Sequence, residues 1–245
     1  MEVIGVIPAR YESKRFPGKL LADLGGKPVI RHVYERSAGA KGLKVLLVAT
    51  DDKRIFDVVE SFGGKAVMTS PRHKSGTDRI AEVMAKIKGD VVVNIQGDEP
   101  FIRPKMIEDV IKPFKGKENV CMATLKCPIE KEEEITDPNV VKVVTDSDDF
   151  ALYFSRLPVP YVRDGGKNSV RFYKHIGLYA YTRGFLLKFA KLPHSSLEQA
   201  ERLEQLRALE YGYSIKVLET RYSTLGIDTR QDLALARKML RGENA

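Results

Sequence analysis

The sequence predicts an α/β protein built on a doubly wound, mostly parallel sheet, with an inserted mixed or antiparallel β subregion. Two observations predict it. Over the first hundred residues, short β-branched runs alternate with stretches of helical periodicity, the pattern of successive β-α units. From about residue 120 to 182, strand-like runs follow one another with little helix between them. No internal repeat, low-complexity tract or long linker divides the 245 residues. The expectation is a single domain over 1–245, with an excursion at about 120–182.

"VIGVI" (3–7) reads as the first strand, and "KPVIRHVYERSAG" as the helix that follows, with Pro28 near its first turn. "KVLLVAT" (44–50) is apolar on both faces, which fits a central strand. "DDKRIFDVVESFG" is the next helix, closed by Gly63. "KAVMT", "TDRIAEVMAKI" and "DVVVNIQGDEP" then give strand, helix and strand. In the middle, "VCMATLKCPI", "NVVKVVTD", "FALYFSR" and "FYKHIGLYAYT" read as successive strands. The tyrosines gathered there suit an interface, a sugar face or an ordinary half-buried sheet. "SSLEQAERLEQLRALEYG" reads as one helix, with Ser196 to cap it and Gly212 to stop it. A strand "IKVLET", the segment "LGIDT" and the helix "RQDLALARKMLRG" complete the chain.

Composition bounds the function classes. Apolar content of 43% and charged content of 30% are ordinary for a soluble globular protein. A net charge of +8 suits nucleic acid, a membrane surface or an acidic small substrate. The basic residues are dispersed, with no nucleic-acid-binding signature, so no nucleic-acid partner is expected. No stretch approaches 18 apolar residues and no leader-like segment opens the chain, so neither membrane nor secretion is expected. Cys121 and Cys127 lie six apart in a strand-like run, with no CxxC pair. They read as buried reduced thiols, which places the protein in the cytoplasm.

Chemistry enters with "IPARYESKRFPGK" (7–19), where Arg10, Lys14, Arg15 and Lys19 follow a buried strand. Open parallel sheets bind ligands beyond the carboxyl ends of their strands, which is where this loop falls. It is neither GxGxxG nor GxxxxGK[ST]. Either it is a solvated loop, or its cations and turn amides wait for a phosphate chain. "NIQGDEP" puts Asp98 and Glu99 at the same edge, either as turn formers or as a seat for Mg²⁺. Asp228 of "LGIDT" ends another short apolar run. If that run lies beside the first strand, two carboxylates share one metal site.

Seven stretches then act together: "IPARYESKRFPGK", "HKSGTDRIAE", "VNIQGDEPFI", "YFSRLPVPY", "YKHIGLYAY", "LEQLRALE" and "GIDT". In this order they resemble the CMP-Kdo synthetases, or 3-deoxy-manno-octulosonate cytidylyltransferases, collinearly from about residue 1 to 240. The resemblance implies a Rossmann-like nucleotidyltransferase fold and a Mg²⁺-dependent reaction of CTP with Kdo, giving CMP-Kdo and diphosphate for lipopolysaccharide synthesis. It implies that Arg10, Arg15 and Lys19 hold the CTP triphosphate, with Pro8 and Ala9 close to the nucleotide. Ser75, Gly76 and Gln96 frame the cytosine, and Asp98 and Asp228 bind Mg²⁺. Arg10, Lys19, Asp98 and Asp228 form its catalytic group. Arg156, His175, Tyr179, Glu204 and Gln205 contact the sugar acid, and the inserted β-rich region forms a homodimer.

Asp78 and Arg79 are expected to cap and pair locally instead of touching substrate. His32, His73 and His194 read as surface or packing residues. The nearest alternative substrates are 8-amino-Kdo and a sialic acid. From another class, the alternative is a catalytically silent nucleotide-binding module on the same scaffold.

Overall fold

The computed structural model describes residues 1–242 except 14, 117–118 and 164–169. Lys14 therefore lies outside the described residues. The chain separates into two compact units, one of Met1–Glu108 with Thr224–Ala245 and the other of Asp109–Ser223. The stretch 120–182 falls inside the second.

The first unit begins with β1 (Val3–Ala9), a 3-10 turn at Lys19–Leu21, and a two-strand hairpin of β2 (Asp23–Leu24) and β3 (Lys27–Pro28). Gly25 and Gly26 make its turn with φ of +65° and +84°, the backbone form that a two-residue hairpin demands. Then come α1 (Val29–Ala38), β4 (Leu43–Thr50), α2 (Lys53–Ser61), β5 (Ala66–Met68), α3 (Gly76–Lys86) and β6 (Val91–Asn94). Gly63 adopts φ +80° just past α2, as its sequence position predicts.

β1 pairs in parallel with β4 on one side and with β6 on the other, and β4 pairs in parallel with β5. The chain first builds outward from β1 through β4 to β5, then returns across the sheet to add β6 on the opposite side. That reversal opens a crevice at the carboxyl ends of β1 and β6. The strands are buried on both faces, as their unbroken apolar runs require.

α4 (Pro104–Ile111) leads into the second unit. There follow β7 (Met122–Pro128), α5 (Glu132–Thr136), β8 (Lys142–Thr145), β9 (Ala151–Ser155), β10 (Tyr173–Thr182), α6 (Arg183–Phe189), α7 (Ser196–Glu201), α8 (Gln205–Glu210) and β11 (Ile215–Glu219). β10 runs antiparallel to β7 and β8, β8 antiparallel to β9, and β11 parallel to β7. This is the mixed character that the sequence predicts.

The structure differs from the expectation in four places. Helices α4, α5 and α6 were not anticipated. The helix expected from Ser196 to Gly212 is two helices, because Arg202 takes a left-handed conformation (φ +55°) between α7 and α8. Arg207 of α8 binds Glu198 of α7 through two nitrogens, which folds one helix back on the other. Ser195, not Ser196, is the N-cap, in a capping box with Glu198. Cys121 and Cys127 are both unpaired, and only Cys127 is buried.

The chain re-enters the first unit at Thr224 and ends in α9 (Arg230–Leu240), capped by Thr229 and Asp232. Ile227, Leu233 and Ala236 pack there against Phe16, Leu24 and Val29. No helix among the described residues is long and apolar enough to cross a membrane.

Candidate active site

The first unit contains a cleft of about 660 Å³ at the crevice between β1 and β6. Pro8 and Ala9 from the end of β1 line it, followed by Arg10, Arg15 and Lys19 from the cationic loop. Ser75 and Gly76 enter from the start of α3, and Gln96 and Asp98 from the turn after β6. Asp228 comes from the returning chain. The ten residues expected at the nucleotide and metal sites therefore share one cleft. Two glycines allow the close approach. A Cβ on Gly97 would meet the Pro8 carbonyl at 3.1 Å, and one on Gly76 would meet Pro8 Cγ at 3.2 Å.

A single backbone bond sets the carboxylate geometry. Ile227 donates its N–H to the Asp98 carbonyl at 2.9 Å, and buried Ile227 anchors the segment in the core. Asp228, the next residue, is thereby delivered beside Asp98. The Lys19 ammonium stands between the two, 2.5 Å from Asp98 Oδ2 and 2.9 Å from Asp228 Oδ1. Arg15 binds the other Asp228 oxygen at 2.7 Å.

Burial alone would push the Lys19 pKa down, but the charge of Asp98 and hydrogen bonds to both carboxylates outweigh it and raise it. Burial likewise pushes Asp228 up, and its bond to Lys19 with the charges of Lys19 and Arg15 reverses that, leaving it lowered. Both groups are thus held in their charged forms.

Two carboxylate oxygens converging on one ammonium define a seat for a cation. The donors are hard oxygens from two residues only, which suits Mg²⁺, an ion that keeps water and phosphate oxygens in its shell.

Arg10 and Lys74 also line the cleft, and neither has an ion-pair partner among the described residues. Lys74 directly precedes Ser75, the N-cap of α3, whose Oγ accepts from Asp78 N at 3.0 Å. Cations without partners and a helix N-terminus at one wall favour an anionic ligand. Asp78 completes the capping box, and Arg79 bonds Asp51 and Thr69, so both pair locally.

The five sugar-side candidates belong to the second unit. Arg156 follows β9 and is held at both ends. Its carbonyl accepts from Lys142 Nζ at 2.6 Å, while Nε and one terminal nitrogen donate to the carbonyls of Glu201 and Pro138. Its other terminal nitrogen has no partner among the described residues. Lys142 is fully buried and donates to three backbone carbonyls, which fixes this loop.

His175 and Tyr179 lie together on β10, ring centroids 5.3 Å apart, with Phe154 edge-on to the imidazole. Removal from water pushes the His175 pKa down to about 3, so the ring is neutral. At the start of α8, Glu204 accepts from Arg207 at 2.9 Å. Gln205 is buried, and its amide nitrogen has no partner among the described residues. An orphaned buried donor costs stability unless something fills it, and a bound ligand is one such thing.

The cytidylyltransferase family profile matches residues 4–217. The chain is 52% identical over 249 residues to a 3-deoxy-manno-octulosonate cytidylyltransferase of Syntrophotalea carbinolica, covering 99% of this chain and all of the relative. It is 49% identical over 250 residues to the protein of that name from Trichlorobacter lovleyi, covering 98% and 99%. The chain belongs to the 3-deoxy-manno-octulosonate cytidylyltransferase family.

A solved structure described as CMP:2-keto-3-deoxy-manno-octonic acid synthetase complexed with CTP superposes with a TM-score of 0.94. It is 45% identical and 99% of each chain is covered. A 4-diphosphocytidyl-2C-methyl-D-erythritol synthase from Anaerococcus prevotii, at 14% identity and a TM-score of 0.65, shares the fold alone.

Residues not expected at the site also line the cleft, Lys74 and His73 among them. Lys74 was not singled out, although an exposed cation just before a helix N-cap is a readable anion signal. His73 was read as a surface or packing residue. It lines the cleft, with Nε2 2.6 Å from Glu82, whose carboxyl Lys86, Ser70 and His73 hold down to about 2.

Proposed function

We propose that this chain transfers the cytidylyl group of CTP to the anomeric hydroxyl of Kdo, releasing diphosphate and forming CMP-Kdo. The observation that carries the reading is the Lys19–Asp98–Asp228 cluster in the lining of a cation-rich cleft in the first unit. The relatives' names supply the substrate class.

Phosphoryl-type transfer asks the protein for position and charge more than for a covalent nucleophile. The hydroxyl oxygen bonds to the α-phosphorus, the bond to the bridging β-phosphate oxygen breaks, and the hydroxyl proton departs to solvent. Lys19 and Arg15 exchange their carboxylate partners for phosphate oxygens. With Arg10 and Lys74 they offset the charge that builds on the departing diphosphate. Asp98 and Asp228, released from Lys19, are the residues that would hold Mg²⁺. When bound, the ion supplies positive charge to the α-phosphate and lowers the pKa of the attacking hydroxyl.

The Gln96 amide can meet both a donor and an acceptor on the cytosine edge, next to the Pro8–Ala9 and Ser75–Gly76 backbone. In the second unit, the open terminal nitrogen of Arg156 suits the Kdo carboxylate. Neutral His175, Tyr179, Glu204 and the unpartnered Gln205 nitrogen suit its hydroxyls. Exposed Leu152, Leu157 and Tyr161 in the same unit support a homodimer through this region, and a cytoplasmic enzyme fits the reduced cysteines. Light scattering on a sizing column tests the dimer, and a monomer mass refutes it.

The reaction is tested by diphosphate release from CTP and Mg²⁺, with Kdo, 8-amino-Kdo or N-acetylneuraminate in parallel. Release with Kdo, abolished by a chelator, is expected. Release only with another sugar acid reassigns the second unit's residues, and silence with all three refutes the activity.

A further inference from the structure

The positions of His175 and Tyr179 need an explanation, because residues four apart in an unbroken strand lie about 13 Å apart along its axis. Their rings are 5.3 Å apart. The pairing of β10 with β7 is irregular between Ile176 and Ala180, and the backbone bends there. Thr124 of β7, fully buried, sits against the bend. Its Oγ1 lies 3.1 Å from the Ile176 carbonyl, 2.9 Å from the Leu178 carbonyl and 2.9 Å from His175 Nε2.

A threonine hydroxyl has one proton to give and two lone pairs with which to accept. Both carbonyls can only accept, so the proton is committed to them. The contact with His175 then runs the other way, from Nε2–H to Oγ1. A neutral imidazole carries one N–H, and placing it on Nε2 leaves Nδ1 as an acceptor. Reversing the bond would withdraw the hydroxyl proton from both carbonyls in a buried place. One side chain therefore pins the bend and sets the tautomer.

We infer that Thr124 is a positioning residue: its hydroxyl locks His175 as the Nε2–H tautomer and presents Nδ1 to a hydroxyl of the sugar acid. The second half rests on the proposed sugar-side role of His175, whereas the tautomer lock stands without it.

Long-range proton–nitrogen NMR of the ¹⁵N-labelled full chain tests the lock, with the His175 signals assigned by their loss in His175→Gln. Wild type and Thr124→Ser are expected to show the Nε2–H form at pH 7.5, and Thr124→Val a mixture or the Nδ1–H form. In kinetics, Thr124→Val is expected to raise the KM for Kdo about tenfold, the value of one lost hydrogen bond. The KM for CTP should stay within about twofold, and Thr124→Ser should behave as wild type.

An Nδ1–H or doubly protonated His175 in wild type overturns the lock, whether or not Thr124→Val folds. An unchanged KM for Kdo in Thr124→Val, alongside a raised one in His175→Ala, overturns the link from tautomer to sugar. An unchanged KM in His175→Ala removes His175 from the sugar site and overturns the acceptor role, leaving the spectrum to decide the lock.

Discussion

Lys19 bridges Asp98 and Asp228, standing 2.5 Å from one carboxylate and 2.9 Å from the other, and so occupies the point where those carboxylates converge. A metal ion and a lysine ammonium cannot share that point. Removing the ammonium leaves two facing carboxylates with Arg15 as their one cationic partner among the described residues. Lys19→Met is therefore expected to bind Mn²⁺ more tightly than wild type in the absence of nucleotide, while losing turnover by about 100-fold or more. Electron paramagnetic resonance titration with Mn²⁺ reads the first effect. Unchanged or weaker metal binding contradicts the placeholder role of Lys19.

Arg10 and Lys74 are exposed and have no ion-pair partners among the described residues, so their cost to folding is small. Each alanine variant is expected to keep its stability within about 0.5 kcal/mol. Each should raise the KM for CTP several-fold and flatten its dependence on salt. Arg15→Ala, which also loses the bond to Asp228, should raise that KM or lower turnover. Steady-state kinetics at two ionic strengths, with thermal melts, separates these effects; an unchanged KM and turnover places the residue outside the site.

The loop cations and both carboxylates were legible because each stands where an apolar run ends, and the ends of parallel strands are where ligands bind. Their meeting was legible only as a condition on where the "LGIDT" run lies. What brings them together is a backbone bond from Ile227 to Asp98 in the turn after β6, not a place beside the first strand, and backbone bonds leave no mark in side-chain pattern. Helix α4 escaped although Met106, Ile107, Val110 and Ile111 are apolar at helical spacing and buried, because Pro104 reads equally as a loop residue. The break at Arg202 was hidden since no glycine or proline signals it. Thr124 and Lys142 were invisible for a simpler reason: a threonine and a lysine in strand-like runs look ordinary until their partners are known.

The proposed sugar-side role of Gln205 would join function to stability. Its buried amide nitrogen lacks a partner among the described residues, so the folded protein carries the desolvation cost of that donor. Gln205→Leu keeps the volume and removes the orphan. It is expected to melt no lower than wild type, and to raise the KM for Kdo about tenfold or more. A lower melting temperature with an unchanged KM would show that the amide serves the fold.

The His175 pKa of about 3 lies below the ordinary imidazole value of about 6.5. The fold thus favours the neutral ring, and the sign of its linkage follows. Its contribution to stability is complete above about pH 6.5 and is lost as pH falls from there through about 3. Between pH 7 and 4.5 the melting temperature of wild type should fall further than that of His175→Gln, and the ring should show no titration step by NMR between pH 8 and 5. A titration step near 6.5 contradicts the desolvation of the ring.

The most direct test of the account is the turnover of purified Asp98→Asn with CTP, Kdo and Mg²⁺, beside a far-ultraviolet spectrum and melt to confirm the fold. The substitution keeps the shape of the side chain and removes the charge that faces Lys19. Loss of turnover by two or more orders of magnitude in a folded protein is the predicted result. Near-wild-type turnover would contradict the assignment of this carboxylate pair to the chemistry.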